Sequence, residues 1–383
     1  MANIAMIVSN SCNPDPRVEK EAEALLSAGH EVSIHCLDRQ ENSPTIENKN
    51  GLIFKRYKVG LTPLGAPNIK VGINVLRKLV KFRKHTIKFL GNNIPDVVHC
   101  HDADTLEVGI YMKKKYSTKL VFDMHDLAHT WIRMAKPKSI LRKFTSKIIE
   151  RRLNRRLKFC DLIITSSGKI SDSPHTGFKE WIEKRYDQEV IVVENRPILH
   201  DEISKLPDKF TIGYFGKIRE PSMFQNLLEA VKNWPDNNRP KIIIAGHGSA
   251  EKEVFEMFEE SEFDVEFHGK FNQDKLKELI KKISVMYALY PTKRGNILDG
   301  AIATKMFDSA AGGRPSIVNN ECLMGDIAEN ENIGVQIASN KPHKLLEELL
   351  KIKENQVQVK LFRGWTEEAK KLIQAYKKFE ILA

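Results

Sequence analysis

One step repeats along this chain: a short apolar run, a turn rich in Gly, Asp or His, a helical stretch, and a further apolar run. Residues 4–8 form the first run. The turn Ser9-Asn10-Ser11-Cys12-Asn13-Pro14-Asp15-Pro16 follows, then a helical stretch over 17–28 with Val18, Ala22, Leu25 and Leu26 on one face. Gly29 stops that helix, and 31–36 reads as the next strand. A buried strand that feeds a helix and then a second strand is the βαβ unit of a parallel sheet. Strands that are apolar throughout need cover on both faces, which restricts the chain to an α/β architecture.

The step recurs in two series. Further strands are expected at 52–57, 97–100, 120–122, 162–165 and 191–193. The polar stretch 194–209 reads as a linker. The second series has strands at 211–215, 241–245, 265–268, 285–290 and 316–319, and 365–379 has helical apolar spacing at Leu372, Ala375, Tyr376 and Phe379. A chain of 383 residues exceeds one ordinary core. The expected division is a first Rossmann-like domain over 1–195, a second over 196–364, and a final helix over 365–383 that returns to the first.

The net charge of +11 points to anionic partners: nucleic acid, acidic lipid or phosphorylated substrates. Cys12, Cys36, Cys100, Cys160 and Cys322 are odd in number and form no CxxC pair, as in a reduced cytoplasmic protein. The apolar start reads as a strand and not a signal peptide, and no apolar run is long enough to span a bilayer. The basic stretch 70–88 carries Arg77, Lys78, Lys81, Arg83 and Lys84 without an acid, and is suited to the anionic inner face of a membrane. The second basic stretch, 136–158, reads instead as a solvated helix face. No nucleic-acid motif is present, and the basic helices lack interleaved aromatics, so nucleic acid is not an expected partner.

Ligands of open parallel sheets bind beyond the carboxyl ends of the strands. In the second half those places hold Gly216-Lys217-Ile218-Arg219, Gly246-His247-Gly248, and the segment from Asn296 to Pro315. Glycine lets a backbone approach a ligand closely, and Lys217 and Arg219 carry charge suited to a diphosphate. Thr304 and Lys305 stand at a helix start, where the dipole favours phosphate, and Asp308 one turn on is placed to accept from ribose hydroxyls. In the first half two strands end in His99-Cys100-His101-Asp102-Ala103-Asp104 and Asp123-Met124-His125-Asp126. His99 and His101 are read as facing opposite sides of their strand, so that one at most points to a ligand. Asp102 and Asp104 form a DxD pair, a common chance motif that is not taken as a metal site; no metal or other cofactor is expected.

Taken in order, these motifs resemble glycosyltransferase family 4, retaining enzymes of GT-B fold, over the whole chain. The residues that carry the resemblance include Asp15-Pro16-Arg17-Val18, Asp96-Val97-Val98-His99-Cys100-His101, Phe122-Asp123-Met124-His125-Asp126 and Gly213-Tyr214-Phe215-Gly216. Ala245-Gly246-His247-Gly248 and Lys305-Met306-Phe307-Asp308-Ser309-Ala310-Ala311-Gly312-Gly313-Arg314-Pro315 complete them. The resemblance implies two Rossmann-like domains across a cleft, a nucleotide-diphosphate sugar on the second and a glycan or lipid-linked acceptor on the first. It implies Lys217 on the diphosphate, Asp308 on the ribose and His125 near the reacting sugar, the three expected to serve catalysis. Arg219, Gly248, Asp299, Thr304 and Lys305 are the further donor contacts expected. Asp15, Arg17, His101, Asp102 and Asp126 are those expected for the acceptor. Three positions depart from the family pattern. Gly300 stands where the first of two glutamates is usual, with Asp308 as the second. Ser222 replaces a lysine, and a Pro-Asp-Pro loop replaces a Gly-Gly pair. A sugar-nucleotide epimerase of the same fold and a non-catalytic binding protein are the alternatives.

Overall fold

The computed structural model describes residues 1–60, 69–134, 139–187, 189–199, 203–235, 238–291, 295–354, 359–361 and 363–381, the side chains of 69–73, 131, 134 and 295 excepted. Parts of the linker 194–209, of the basic stretch 136–158 and of the final helix 365–383 therefore lie outside the described residues. By contacts the chain forms two units. The first takes Met1–Ser166, Lys179–Glu194 and Glu367–Ala383; the second takes Ser167–Phe178 and Asn195–Thr366.

The first unit holds β1 (Asn3–Val8), β2 (Glu31–Asp38), β3 (Ile46–Lys49), β4 (Leu52–Lys58), β5 (Val97–His101), β6 (Lys119–Met124), β7 (Leu162–Thr165) and β8 (Val190–Val192). They form one sheet in the order β3-β4-β2-β1-β5-β6-β7-β8. Only β3 is antiparallel to its neighbour, and its residues Ile46–Lys49 are nearly all open to solvent, as an edge strand can be. Central strands β1, β5 and β6 are buried almost end to end, which is why β1 reads as an unbroken apolar run and β5 and β6 are apolar but for His99, His101, Lys119 and Asp123.

The second unit holds β9 (Thr211–Phe215), β10 (Lys241–Ala245), β11 (Val265–His268), β12 (Val285–Ala288), β13 (Ser316–Asn319) and β14 (Gly334–Ile337). Their order is β11-β10-β9-β12-β13-β14, and every pairing is parallel. The order reverses beside β9, so its carboxyl end is a topological switch point, where open α/β sheets bind ligands. β14 and β3 are elements that the apolar pattern does not announce: β14 has two aliphatic residues in four and β3 only one.

The helix Pro16–Ser27 begins on a proline, with Asp15 as its cap accepting from the Val18 amide. The last helix, Trp365–Lys378, starts in the second unit and ends in the first. Its buried Tyr376 donates or accepts a 2.8 Å hydrogen bond with His99 Nδ1. No helix among the described residues is long and apolar enough to cross a membrane.

Candidate functional site

In the first unit, β5 and β6 end side by side, and the helix Pro16–Ser27, which packs on β2 and β4, reaches them with the side chains of Arg17 and Glu21. Arg17 is 4% exposed. Its Nε and Nη2 donate to both oxygens of Asp123, at 2.9 and 2.7 Å, and Nη1 donates to the Val193 carbonyl at 2.8 Å. Glu21, one turn along the helix, lies 3.1 Å from the same guanidinium. His125 Nε2 sits 2.5 Å from Asp123 Oδ2 and 3.2 Å from His101 Nδ1, and its Nδ1 is 3.7 Å from Asp102.

These charges set one another's protonation. Burial alone would raise Asp123, but Arg17 and then His125 hold its carboxyl well below the usual carboxylate range. Burial alone would lower His125, yet the Asp123 and Asp102 carboxylates outweigh it and push the imidazole up to about 9. Glu21 takes the other course: burial, then the Asp123 charge, raise it to about 8. His99 and His101 are lowered, mainly by burial. The site thus presents one cationic imidazole, partly exposed, on a buried neutral frame.

The expectation that His99 and His101 face opposite sides is corrected. Successive strand residues alternate, so residues two apart share a side. The two rings stack at 4.4 Å, and His99 leads back to Tyr376 while His101 leads on to His125.

Among the described residues, Glu21, His99, His101 and Asp123 form a group with ligand atoms close enough for one metal ion. The chemistry of this donor set does not favour that use. Arg17 already takes both Asp123 oxygens and lies 3.1 Å from Glu21, so a divalent ion would meet a resident cation at close range.

Of the expected acceptor residues, Asp15 caps its helix and accepts from Asn10 at 2.8 Å. Arg17 and His101 are buried; Arg17 is held by Asp123, and His101 Nδ1 lies 3.2 Å from His125 Nε2. Asp102 is a half-buried residue with φ +62°, and Asp126 accepts from the Leu127 amide at 2.7 Å.

The second unit gathers cations at the carboxyl ends of β9, β10 and β11. Gly216 (φ +147°) turns the chain after β9, and Lys217 and Arg219 follow it into solvent. Gly246 and Gly248 are required by close approach. A Cβ on Gly246 would lie 1.8 Å from the Gly216 carbonyl, and one on Gly248 would lie 1.9 Å from that of Ile218. These glycines bring Lys217 Nζ to 2.7 Å from His247 Nε2. Lys217 is lowered by burial and then by Arg219 and Lys270, so three cations share one place. Lys270 was not singled out in the sequence, although Gly269-Lys270 repeats the Gly216-Lys217 pattern after a strand.

Thr304 opens the helix Thr304–Ala311 and is exposed; Lys305 is buried, its ammonium 3.6 Å over the Tyr214 ring and close to Gly216. Asp308 is half-buried one turn on, and Asp299 is exposed after the helix Gly295–Leu298. Gly300, at the position of the usual glutamate, has φ +99°, and a Cβ there would lie 2.6 Å from Gly177 Cα and 2.8 Å from the Thr176 carbonyl. The segment Ser167–Phe178 closes that position to any side chain. It is anchored by His175, whose Nδ1 is 2.7 Å from Asp326. Neither His175 nor Asp326 is marked by a local sequence signal.

Two α/β units on parallel sheets, each with its polar groups at the carboxyl ends of its strands, are the architecture of the GT-B fold. Residues 17–179 match the model of Glycosyltransferase Family 4, and residues 195–378 match that of Glycosyl transferases group 1. The chain belongs to the GT-B glycosyltransferases of these families. No curated protein matches it in sequence. Among solved structures it is similar to sucrose-phosphate synthase from Thermosynechococcus elongatus, with TM-score 0.71, 14% identity, and 99% and 96% of the two chains covered. It is also similar to Anabaena HepE in complex with UDP-glucose (0.60, 12%, 100% and 96%). A putative UDP-N-acetylglucosamine 2-epimerase from Listeria monocytogenes matches as well (0.61, 11%, 99% and 97%).

Proposed function

We propose that this glycosyltransferase moves a sugar from a nucleotide-diphosphate donor to a glycan or lipid-linked acceptor, with retention of configuration and without a metal. The observation that carries the reading is the meeting of Lys217, Arg219 and Lys270 at the switch point of the second sheet. That cluster matches the charge of a diphosphate, and its cations are preorganised for the charge that develops as the diphosphate departs. Arg219, Gly248, Thr304 and Lys305 line the phosphates, and Asp299 and Asp308 take sugar and ribose hydroxyls. The C1–O bond to the diphosphate breaks, and the acceptor oxygen bonds to C1 on the same face. The acceptor proton passes to the departing phosphate. On the first unit, His125 donates to the transferred sugar, and Asp15, Arg17, His101, Asp102 and Asp126 shape the acceptor side. HepE structures with UDP and UDP-glucose support a uridine donor as the first to try. We place the protein in the cytoplasm at the inner face of a membrane, in polysaccharide assembly, on the basic helix Ile69–Asn92.

A second reading has its own observation. The closed Gly300 and Ser222 remove two usual polar groups, as a donor-binding epimerase or non-catalytic partner would tolerate. The test is a thermal-shift series with UDP-, GDP- and ADP-sugars, followed by turnover of the best donor with and without lipid-linked acceptors in EDTA. A shift lost in Lys217→Ala and Asp308→Ala, with turnover only when acceptor is supplied, supports transfer. Epimerised donor without acceptor supports the second reading. No shift with any nucleotide sugar overturns both.

A further inference from the structure

The helix Ile140–Leu157 is not the evenly solvated face that its sequence suggests. Its first turn exposes Ile140, Leu141 and Phe144 at 83, 72 and 60%. Further along the same exposed stripe come Lys147, Arg151 and Arg155. The helix Ile69–Asn92 repeats the arrangement. Leu76 and Val80 are exposed at 62 and 47%, and Arg77, Lys81, Lys84 and Lys88 are exposed beside and beyond them, with no acid in the helix.

Two further facts place these features together. Glu107, on the helix Leu106–Tyr116, forms ion pairs with Arg83 of the one helix and Arg156 of the other. The three helices therefore lie side by side on one face of the first sheet, as right-handed crossovers between parallel strands require. A crossover helix runs antiparallel to its strands. The apolar tip Ile140, Leu141 and Phe144, and the amino-terminal half of Ile69–Asn92 with Leu76 and Val80, thus stand toward the carboxyl ends of β6 and β4, the same end as His125. The tip of the second helix is also firmly held. Ser139 caps it, Arg142 donates to the Ile132 carbonyl at 3.1 Å, and Ser146 donates to the His129 carbonyl at 2.7 Å. Its exposure is built, not frayed.

We propose that the first unit docks on an anionic membrane by inserting the apolar tip of Ile140, Leu141 and Phe144, with Lys147, Arg151, Arg155 and the basic row of Ile69–Asn92 on the headgroups. Apolar side chains ringed by lysine and arginine match the layered chemistry of a lipid interface, hydrocarbon beneath anionic phosphate. Docking at this end brings a lipid-linked hydroxyl toward His125. The proposal deepens the membrane-facing reading of the acceptor and does not depend on the donor assignment.

The experiment is sedimentation of the full chain with vesicles of phosphatidylcholine alone and with about 30% phosphatidylglycerol. Two variants accompany it, Leu141→Ser with Phe144→Ser, and Lys147→Glu with Arg151→Glu. Unchanged thermal melting and an unchanged nucleotide-sugar shift show that each variant is folded and its donor site intact. The expected result is binding confined to the anionic vesicles, weakened about tenfold or more by either variant. Equal binding to both vesicle types, no binding, or binding indifferent to the serine variant would overturn the proposal. So would a dimer in solution that the serine variant turns into monomer, since the tip would then serve a second copy of the chain.

Discussion

The polar groups of the two units are arranged by opposite means. In the first unit Arg17, Glu21, Asp123, His99 and His101 are buried, and each charge has its counter-charge within the protein. In the second unit Lys217 and Arg219 are exposed and share their place with Lys270. The first arrangement fixes the protonation and direction of one group, His125. The second leaves like charges together, a state that an incoming anion relieves. The first is a rigid acid–base frame and the second an open anion site, the contrast on which the proposed acceptor and donor sides rest.

The largest expected effect breaks the first arrangement. Asp123→Ala leaves Arg17 buried without its carboxylate and should destabilise the protein by about 3 to 5 kcal/mol, read from denaturant unfolding. If the loss is below about 1 kcal/mol, Arg17 does not depend on this pair and the frame is not rigid.

A pH series tests the same frame without mutation. His125 has a folded pKa above its ordinary value, so its proton stabilises the fold below pH 6.5, and that contribution is lost as pH rises toward about 9. Glu21, raised to about 8, works in the same direction from pH 4.5 upward. The lowered His99 and His101 change stability only below pH 6.5. Unfolding free energy should therefore fall by on the order of 4 kcal/mol between pH 6.5 and 9, a little over half of it from His125 and the rest from Glu21. His125→Gln should remove about half of that slope; an unchanged slope would assign it elsewhere.

Gly300→Glu sharpens the comparison inside the second unit. The usual glutamate should not restore a sugar contact here. At φ +99° and against Gly177 it should cost about 1 to 3 kcal/mol, seen as a lower melting temperature without a larger nucleotide-sugar shift. The smallest effect on stability belongs to Lys217→Ala, within about 0.5 kcal/mol, because the side chain is exposed. The same substitution should abolish the donor shift. A variant that unfolds but still binds would reverse the contrast between the units.

Much of the frame is legible in the order of residues. Runs such as 4–8 and 241–245 are apolar because parallel strands are covered on both faces, and their positions match β1 and β10. Gly246 and Gly248 are visible as post-strand glycines, and Lys217 as the charge beside one. Strands β3 and β14 escape notice because an edge position lets polar residues in. Pairing the two histidines on opposite faces was an error of period, and the stacked rings of His99 and His101 correct it.

The sequence by itself determined the local periods: two α/β series, the turns between their elements, and the family to which the order of motifs belongs. These follow from neighbours within a few residues, where period and turn chemistry act. The tertiary structure alone decided which distant groups meet. Arg17 finds Asp123 across 106 residues, and Tyr376 finds His99 across 277. Gly300 is sealed by Gly177, and Phe144 is left in solvent beside its basic row. Such meetings depend on register and crossover, which no local pattern encodes, and they set the charge of His125 and the exposure of Phe144.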